Sequence, residues 1–347
     1  MRTHDMSCPL DDRTTRPEGW RNRYVAGLLR FTRAGRRFVR RPAFWISAVV
    51  ICAFCAANAV VAITIFRASH HEAVTWPGNS FAFWPERKWD SIEDRIRGLK
   101  LPARMESLSL GGVNYRQGSL PVHLIRVYSV RKETPDVKIL LVSGIHGTET
   151  AGVEALLQFS ELLSRNPSQY PGVSFDIVPV ANPWGWVYGY RYDGDGEDVN
   201  RDFASRRTQE ARFVQDLIRR DGPFDLVMDL HESKKTGYFI YQYPPDETGL
   251  GSDFAKLVRA MGKPLENSYS EWIFPARNGI LKTPAPALYW IALGRSLSLE
   301  QFARMHGTAH SYTVETPLTD DFASRVSVHM KTIQTFIARL SEEQAGR

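Results

Sequence analysis

Beyond residue 55 the chain has no cysteine, since only Cys8, Cys52 and Cys55 carry a thiol among its 347 residues. The long remainder therefore cannot form an internal disulfide and must hold itself together through an apolar core. Lysine is missing from residues 1–41, where eleven arginines face four acidic residues for a net of +7. Charge of either sign is missing from residues 43–66. At ~1.5 Å per residue in a helix that run reaches ~36 Å, enough to cross a ~30 Å hydrocarbon core. The sequence thus predicts a basic cytoplasmic tail over 1–42, a transmembrane helix over 43–66, a linker over 67–86 and an extracytoplasmic domain over 87–347, periplasmic in a bacterium. A cleaved signal peptide, with Ala56, Ala57 and Ala59 near its cleavage site, is the competing reading of the run. The whole-chain charge of +6, less the tail's +7, leaves −1 for everything else. The basic pI therefore belongs to the tail, and a nucleic-acid partner is not expected.

From residue 87 the pattern is that of a large α/β domain, with no internal repeat and no low-complexity tract. A helix is expected over 87–99 and an antiparallel strand pair over 104–130. Strands follow at 138–144, 173–180, around His231, at 238–243 and at 310–316, with helices near 150–164, 207–219, 252–261 and 321–340 between and after them. Strands alternating with helices from residue 138 onward predict a mixed, mostly parallel central sheet flanked by helices.

Two strand ends carry metal-competent side chains. The apolar run Ile139–Ser143 leads into Gly144-Ile-His146-Gly-Thr-Glu149, and the run ending at Leu230 leads into His231. Ligands in open α/β sheets bind outside the carboxyl ends of strands, so these residues point into one prospective site. Two imidazoles and one carboxylate, with a position left for water, form the ligand set of catalytic zinc sites, whereas structural sites are closed and thiol-rich.

Between these clusters lie Asn182-Pro183, Arg191 and Asn200-Arg201, and after them comes Glu315 in Tyr312-Thr-Val-Glu-Thr-Pro317. In this order the motifs resemble the zinc carboxypeptidase family, with its carboxypeptidase A-like and aspartoacylase-like branches, over residues 138–317. The resemblance implies that His146, Glu149 and His231 bind one zinc ion per chain. It further implies that Glu315 is the general base and acid, that Arg191 polarises the scissile carbonyl, and that Asn200 and Arg201 grip a substrate carboxylate. The family's substrate-covering tyrosine has no clear motif here, with Tyr289 the nearest match. A membrane-anchored metallocarboxypeptidase acting on a peptide, such as a cell-wall stem peptide, is the expectation. An N-acyl amino acid deacylase and a non-catalytic peptide-binding ectodomain are the alternatives.

Each residue also has a structural reading. Arg191 and Arg201 could pair with the acidic loop of Asp193, Asp195, Glu197 and Asp198, whose charges would suit a cationic or diamino-acid substrate. Glu232 reads as a rim or structural carboxylate, Asp229 as a weak candidate partner for His231, and His306, His310 and His329 as surface or core residues. Trp184, Trp186 and Trp290 read as packing residues ahead of pocket residues.

Overall fold

The computed structural model describes residues 49–53, 55–56, 58–59, 87–131, 136–243, 249–271, 274–283 and 296–345. By its internal contacts the chain divides into residues 1–61 and 62–347. The described residues between 49 and 59 are helical, and the rest of the expected 43–66 span, with the 67–86 linker, lies outside the described residues. Among the described residues no helix is long and apolar enough to cross a membrane.

The second unit is built on an eight-stranded mixed sheet. Its strands are β1 (Met105–Tyr115), β2 (Gly118–Val127), β3 (Val137–Ser143), β4 (Val173–Val178), β5 (Leu226–Ser233), β6 (Phe239–Gln242), β9 (Ile280–Lys282) and β10 (His310–Pro317). A separate two-stranded ribbon joins β7 (Ser270–Glu271) to β8 (Phe274–Pro275). The order across the large sheet is β1-β2-β4-β3-β5-β10-β6-β9. Strands β4, β3, β5 and β10 run parallel, β1 and β2 join antiparallel, and β6 lies antiparallel to β10 but parallel to β9.

The central strands are apolar without alternation because both of their faces are covered. Along β3, Ile139 and Leu141 enter one core and Leu140 and Val142 the other, all four fully buried. The first face is covered by α2 (Ala151–Arg165), α5 (Leu250–Ala260) and α7 (Phe322–Ala345), which contribute Phe159, Phe254 and Phe336. Helix α1 (Asp90–Arg97) adds Ile92 and Ile96 to the same side. The opposite face receives Val214, Leu217 and Ile218 from α4 (Gln209–Asp221) and Phe302 from α6 (Leu299–Met305). A short helix, α3 (Pro183–Tyr188), supplies Trp184 there.

The elements predicted from hydrophobic period all form, with ends shifted by a few residues. Helices α3 and α6 and strand β9 were not anticipated, because segments of three to seven residues carry too few periods to register. The topology sets the carboxyl ends of β3, β5 and β10 side by side at one edge. The register places Glu315 directly beside His231, and β3 ends opposite Leu230.

Candidate metal centre

The ligand turn leaves β3 through Gly144, whose φ of 63° lies in the left-handed region and whose missing side chain admits Val180. Gly147 is fixed by close approach instead. A Cβ there would lie 1.9 Å from the carbonyl carbon of Gly185 in α3, so only glycine lets His146 and Glu149 turn back toward the sheet. Asn182 supports both sides of this contact. Its side chain caps α3 by accepting from Gly185 N–H at 2.8 Å, and its Nδ2 donates to the carbonyl of Tyr192 at 3.0 Å. The Asn-Pro motif is thus a helix cap that ties the ligand turn to the 190–198 loop.

His146, Glu149 and His231 converge, with one ligand atom from each within 4.8 Å of the others. All three are buried. Both imidazoles present Nδ1 to the Glu149 carboxylate, at 2.8 Å from His146 and 2.6 Å from His231. Each Nε2 faces another carboxylate, Asp198 at 3.1 Å from His146 and Asp229 at 2.7 Å from His231. A carboxylate behind each imidazole fixes the tautomer that leaves Nδ1 as the metal-facing atom. The donor set therefore fits a metal ion.

Burial alone would raise the Glu149 carboxyl, but the charges and hydrogen bonds of His146 and His231 outweigh it and hold the group below the usual carboxylate range. Burial would likewise lower His231, and Asp229 with Glu149 instead raises it well above its ordinary value. Asp198 is held well below the usual range despite its burial, by His146, Arg191 and Arg201.

Glu315 differs from these. Its Oε2 is enclosed and has no hydrogen-bond partner among the described residues, and burial pushes the carboxyl up to about 8, against the opposing charge of His231. An acid that titrates near neutrality beside the ligands suits a group that takes and returns a proton.

Arg191 donates to Glu149 at 3.1 Å and to Asp198 at 3.3 Å, and its side chain stays 38% exposed at the mouth of the site. Asn200 turns inward. Its Oδ1 accepts from Leu299 N–H at 2.9 Å, and its Nδ2 lies 3.1 Å from His231 Nε2. Arg201, half-buried, donates to the Asn200 carbonyl at 3.1 Å.

The remaining predicted residues take structural places. Glu232 accepts from Ala151 N–H at the start of α2 at 2.9 Å and pairs with Arg325. His329 is buried against Thr316, and burial pushes it down to about 3. His306 stacks on Phe302, and His310 starts β10 half-buried. Trp184 packs with Tyr115, Tyr188 and Tyr190, and Trp186 with Trp89. Tyr289 and Trp290 lie outside the described residues.

The acidic loop is not a cation trap of the kind its composition suggests. Asp193 is enclosed and accepts from the N–H groups of Asp195 and Glu197, Asp198 serves His146, and Glu197 pairs with Arg207.

Two contributors escaped the sequence reading. Asp198 was grouped with the loop, although its place two residues before Asn200 on a turn of 3-10 helix aims it at His146. Arg87 donates to the carbonyls of Gly147 at 2.7 Å and Trp186 at 2.8 Å, pinning the ligand turn from a distance of 60 residues that no local pattern reveals.

Comparisons with known proteins give a partial match in sequence and a likeness in fold. Residues 135–270 match the family model described as the succinylglutamate desuccinylase/aspartoacylase catalytic domain. Carboxypeptidase 2 of Trichophyton rubrum is 27% identical over 187 residues, which cover 50% of this chain and 33% of that protein. The chain therefore spans about a third of that relative's length. The fold resembles that of a metallo-carboxypeptidase from Burkholderia cenocepacia, with a TM-score of 0.56 and 16% identity over 74% of this chain and 70% of that one. A metallo-carboxypeptidase from Pseudomonas aeruginosa, solved with (2-guanidinoethylmercapto)succinic acid, gives a TM-score of 0.54 and 18% identity over 73% and 68%. Part of the chain thus resembles the succinylglutamate desuccinylase/aspartoacylase catalytic domain in sequence, and its fold resembles that of metallo-carboxypeptidases.

Proposed function

We propose that the chain is a zinc-dependent hydrolase that cleaves an amide bond next to a free carboxylate, releasing the carboxy-terminal residue of a peptide. The observation that carries this reading is the placement of Glu315 in register beside His231, within the same site as Glu149 and His146. A site made only to hold a metal has no use for a further enclosed carboxyl whose Oε2 is unpartnered among the described residues.

Zinc held by His146, Glu149 and His231 would supply Lewis acidity and make water nucleophilic at neutral pH. Glu315 takes a proton from the attacking water and delivers it to the leaving nitrogen. The Arg191 guanidinium stabilises negative charge developing on the carbonyl oxygen. Arg201 offers the planar fork that matches the substrate carboxylate. Asn200, bonded to Leu299 and set against His231, positions Arg201 and closes the back of the site.

An N-acyl amino acid deacylase keeps the same machinery, and the match to the desuccinylase/aspartoacylase model favours it as the second reading. We also assign residues 43–66 to a membrane anchor that leaves the hydrolase on the extracytoplasmic side near cell-wall stem peptides, a reading supported by the Arg-rich segment before that run. Full-length protein loaded with zinc is to be offered peptides and N-acyl amino acids in parallel, with the released amino acid quantified. Release from peptides supports the carboxypeptidase reading, release from acyl amino acids alone transfers it to the deacylase, and release from neither contradicts both.

A further inference from the structure

One group of enclosed polar atoms is only partly engaged by the contacts above, through the bond of Asp229 Oδ2 to His231. It lies on the sheet face that carries His231 and Glu315, two residues back along each strand, where Asp229 and Thr313 stand side by side in register. Tyr241 is the register partner of Thr313 on β6 and shares this face. Helix α6 packs over it, and Glu300 closes it, with Oε1 accepting from Tyr243 hydroxyl at 3.0 Å and from Ser298 hydroxyl at 2.5 Å.

Among the described residues three oxygens in this group have no hydrogen-bond partner: Asp229 Oδ1, Thr313 Oγ1 and Glu300 Oε2. Their residues are 0%, 3% and 3% exposed, so water at the surface does not serve them. Buried acceptors are rarely left this way, and two on adjacent carboxyls are the costliest kind. The Asp229 charge acts on Glu300, whose carboxyl is raised first by burial and then by that charge. Among the described residues neither Asp229 nor Glu300 has a lysine or arginine partner.

We propose that Asp229, Thr313 and Glu300 receive the side-chain ammonium of the amino acid released, making the substrate one whose carboxylate-side residue is lysine or another diamino acid. This rests on the hydrolase reading above and names its substrate class. An ammonium brings three donors and no acceptor, which matches three acceptors on three side chains. A carboxamide would set its own oxygen against them, and an aliphatic side chain would leave all three unpaired. The Asp229 carboxylate then serves two partners, His231 through Oδ2 and the ammonium through Oδ1, so the released residue is gripped directly behind the metal ligands.

Zinc-loaded full-length protein is to be assayed on one peptide series ending in lysine, Nε-acetyl-lysine or norleucine. Free L-lysine and L-norleucine are titrated into the same protein by calorimetry as products that need no turnover. The lysine peptide is expected to exceed the norleucine peptide in kcat/KM by about a hundredfold or more, because a polar pocket rejects an analogue that leaves it unpaired. Lysine, and not norleucine, should bind. Glu300→Gln should reduce the lysine-to-norleucine ratio by about tenfold or more, and Thr313→Val, which leaves both carboxyls in place, should reduce it less. Equal cleavage of all three peptides would overturn this assignment while leaving the hydrolase reading intact. Selective lysine binding without hydrolysis of any peptide would uphold the pocket and remove the peptidase reading. Absence of both would remove both.

Discussion

Two buried acidic clusters sit within one domain, and they hold their carboxyls in opposite states. In the metal centre Glu149 and Asp198 are kept ionised because imidazoles and Arg191 face them. In the second cluster, under the β1–β2 ribbon, Tyr115 donates its hydroxyl to both Glu210 oxygens at 2.7 and 2.9 Å, and Asp193 lies nearby. No cation answers these carboxyls among the described residues, and burial, aided by the Asp193 charge, pushes Glu210 up to about 8. Asp193 rises to about 6, again chiefly through burial. Burial is similar in the two places, so the partner decides the charge. Anionic carboxylates flanked by imidazoles suit a metal site, whereas a protonated Glu210 hydrogen-bonded to a phenol forms a structural clasp.

The largest effect should come from removing a partner at the metal centre. His231→Ala deletes one ligand and leaves Glu149 without one of the two imidazoles that hold it ionised. Metal content measured by elemental analysis should fall to background, with metal affinity reduced by more than about a hundredfold and turnover lost. Asp198→Asn keeps the shape and removes the charge behind His146. Its zinc affinity should weaken by about 10- to 100-fold in competition with a chelator, while the fold, read by circular dichroism, stays as it is.

The clasp predicts a smaller effect of opposite sense. A carboxyl raised in the folded state contributes fully below its ordinary value of 4.5, and the contribution is lost as pH climbs toward 8. Thermal stability should therefore decline between about pH 5 and 8. Glu210→Gln, neutral throughout, should flatten that decline and raise Tm at pH 8 by a few degrees, with little change at pH 5. An unchanged pH profile in the variant would show that Glu210 is ionised when folded and that the two clusters do not differ in this way.

Much of this comparison was legible before any coordinates. The apolar run Ile139–Ser143 could only be a strand covered on both faces, and the polar residues just past it and at His231 had to lie at the carboxyl edge. Glu315 was singled out only through the resemblance of the ordered motifs to the zinc carboxypeptidase family, since a carboxylate at a strand end is ordinarily solvated. What escaped depends on long-range register. Asp198 reads as one acid among several until the 3-10 turn aims it at His146, and Arg87 reads as the first residue of an expected helix until it is found against Gly147 and Trp186. Glu210 falls in the first turn of an amphipathic helix, where a carboxylate suits the helix end and is ordinarily solvated. Only the ribbon folding Tyr115 over it buries it. The short helix α6, which brings Glu300 to the face behind the metal ligands, is too brief for periodicity to reveal.

The central claim is that His146, Glu149 and His231 hold the metal while Glu315 moves the proton. It is tested most directly by measuring zinc per chain and amide hydrolysis on the same preparations of wild-type and Glu315→Gln protein. The account predicts about one zinc per chain in both, with turnover reduced by about 10²- to 10⁴-fold in the variant. Unchanged turnover in Glu315→Gln, or a wild-type protein that binds no metal, would contradict it.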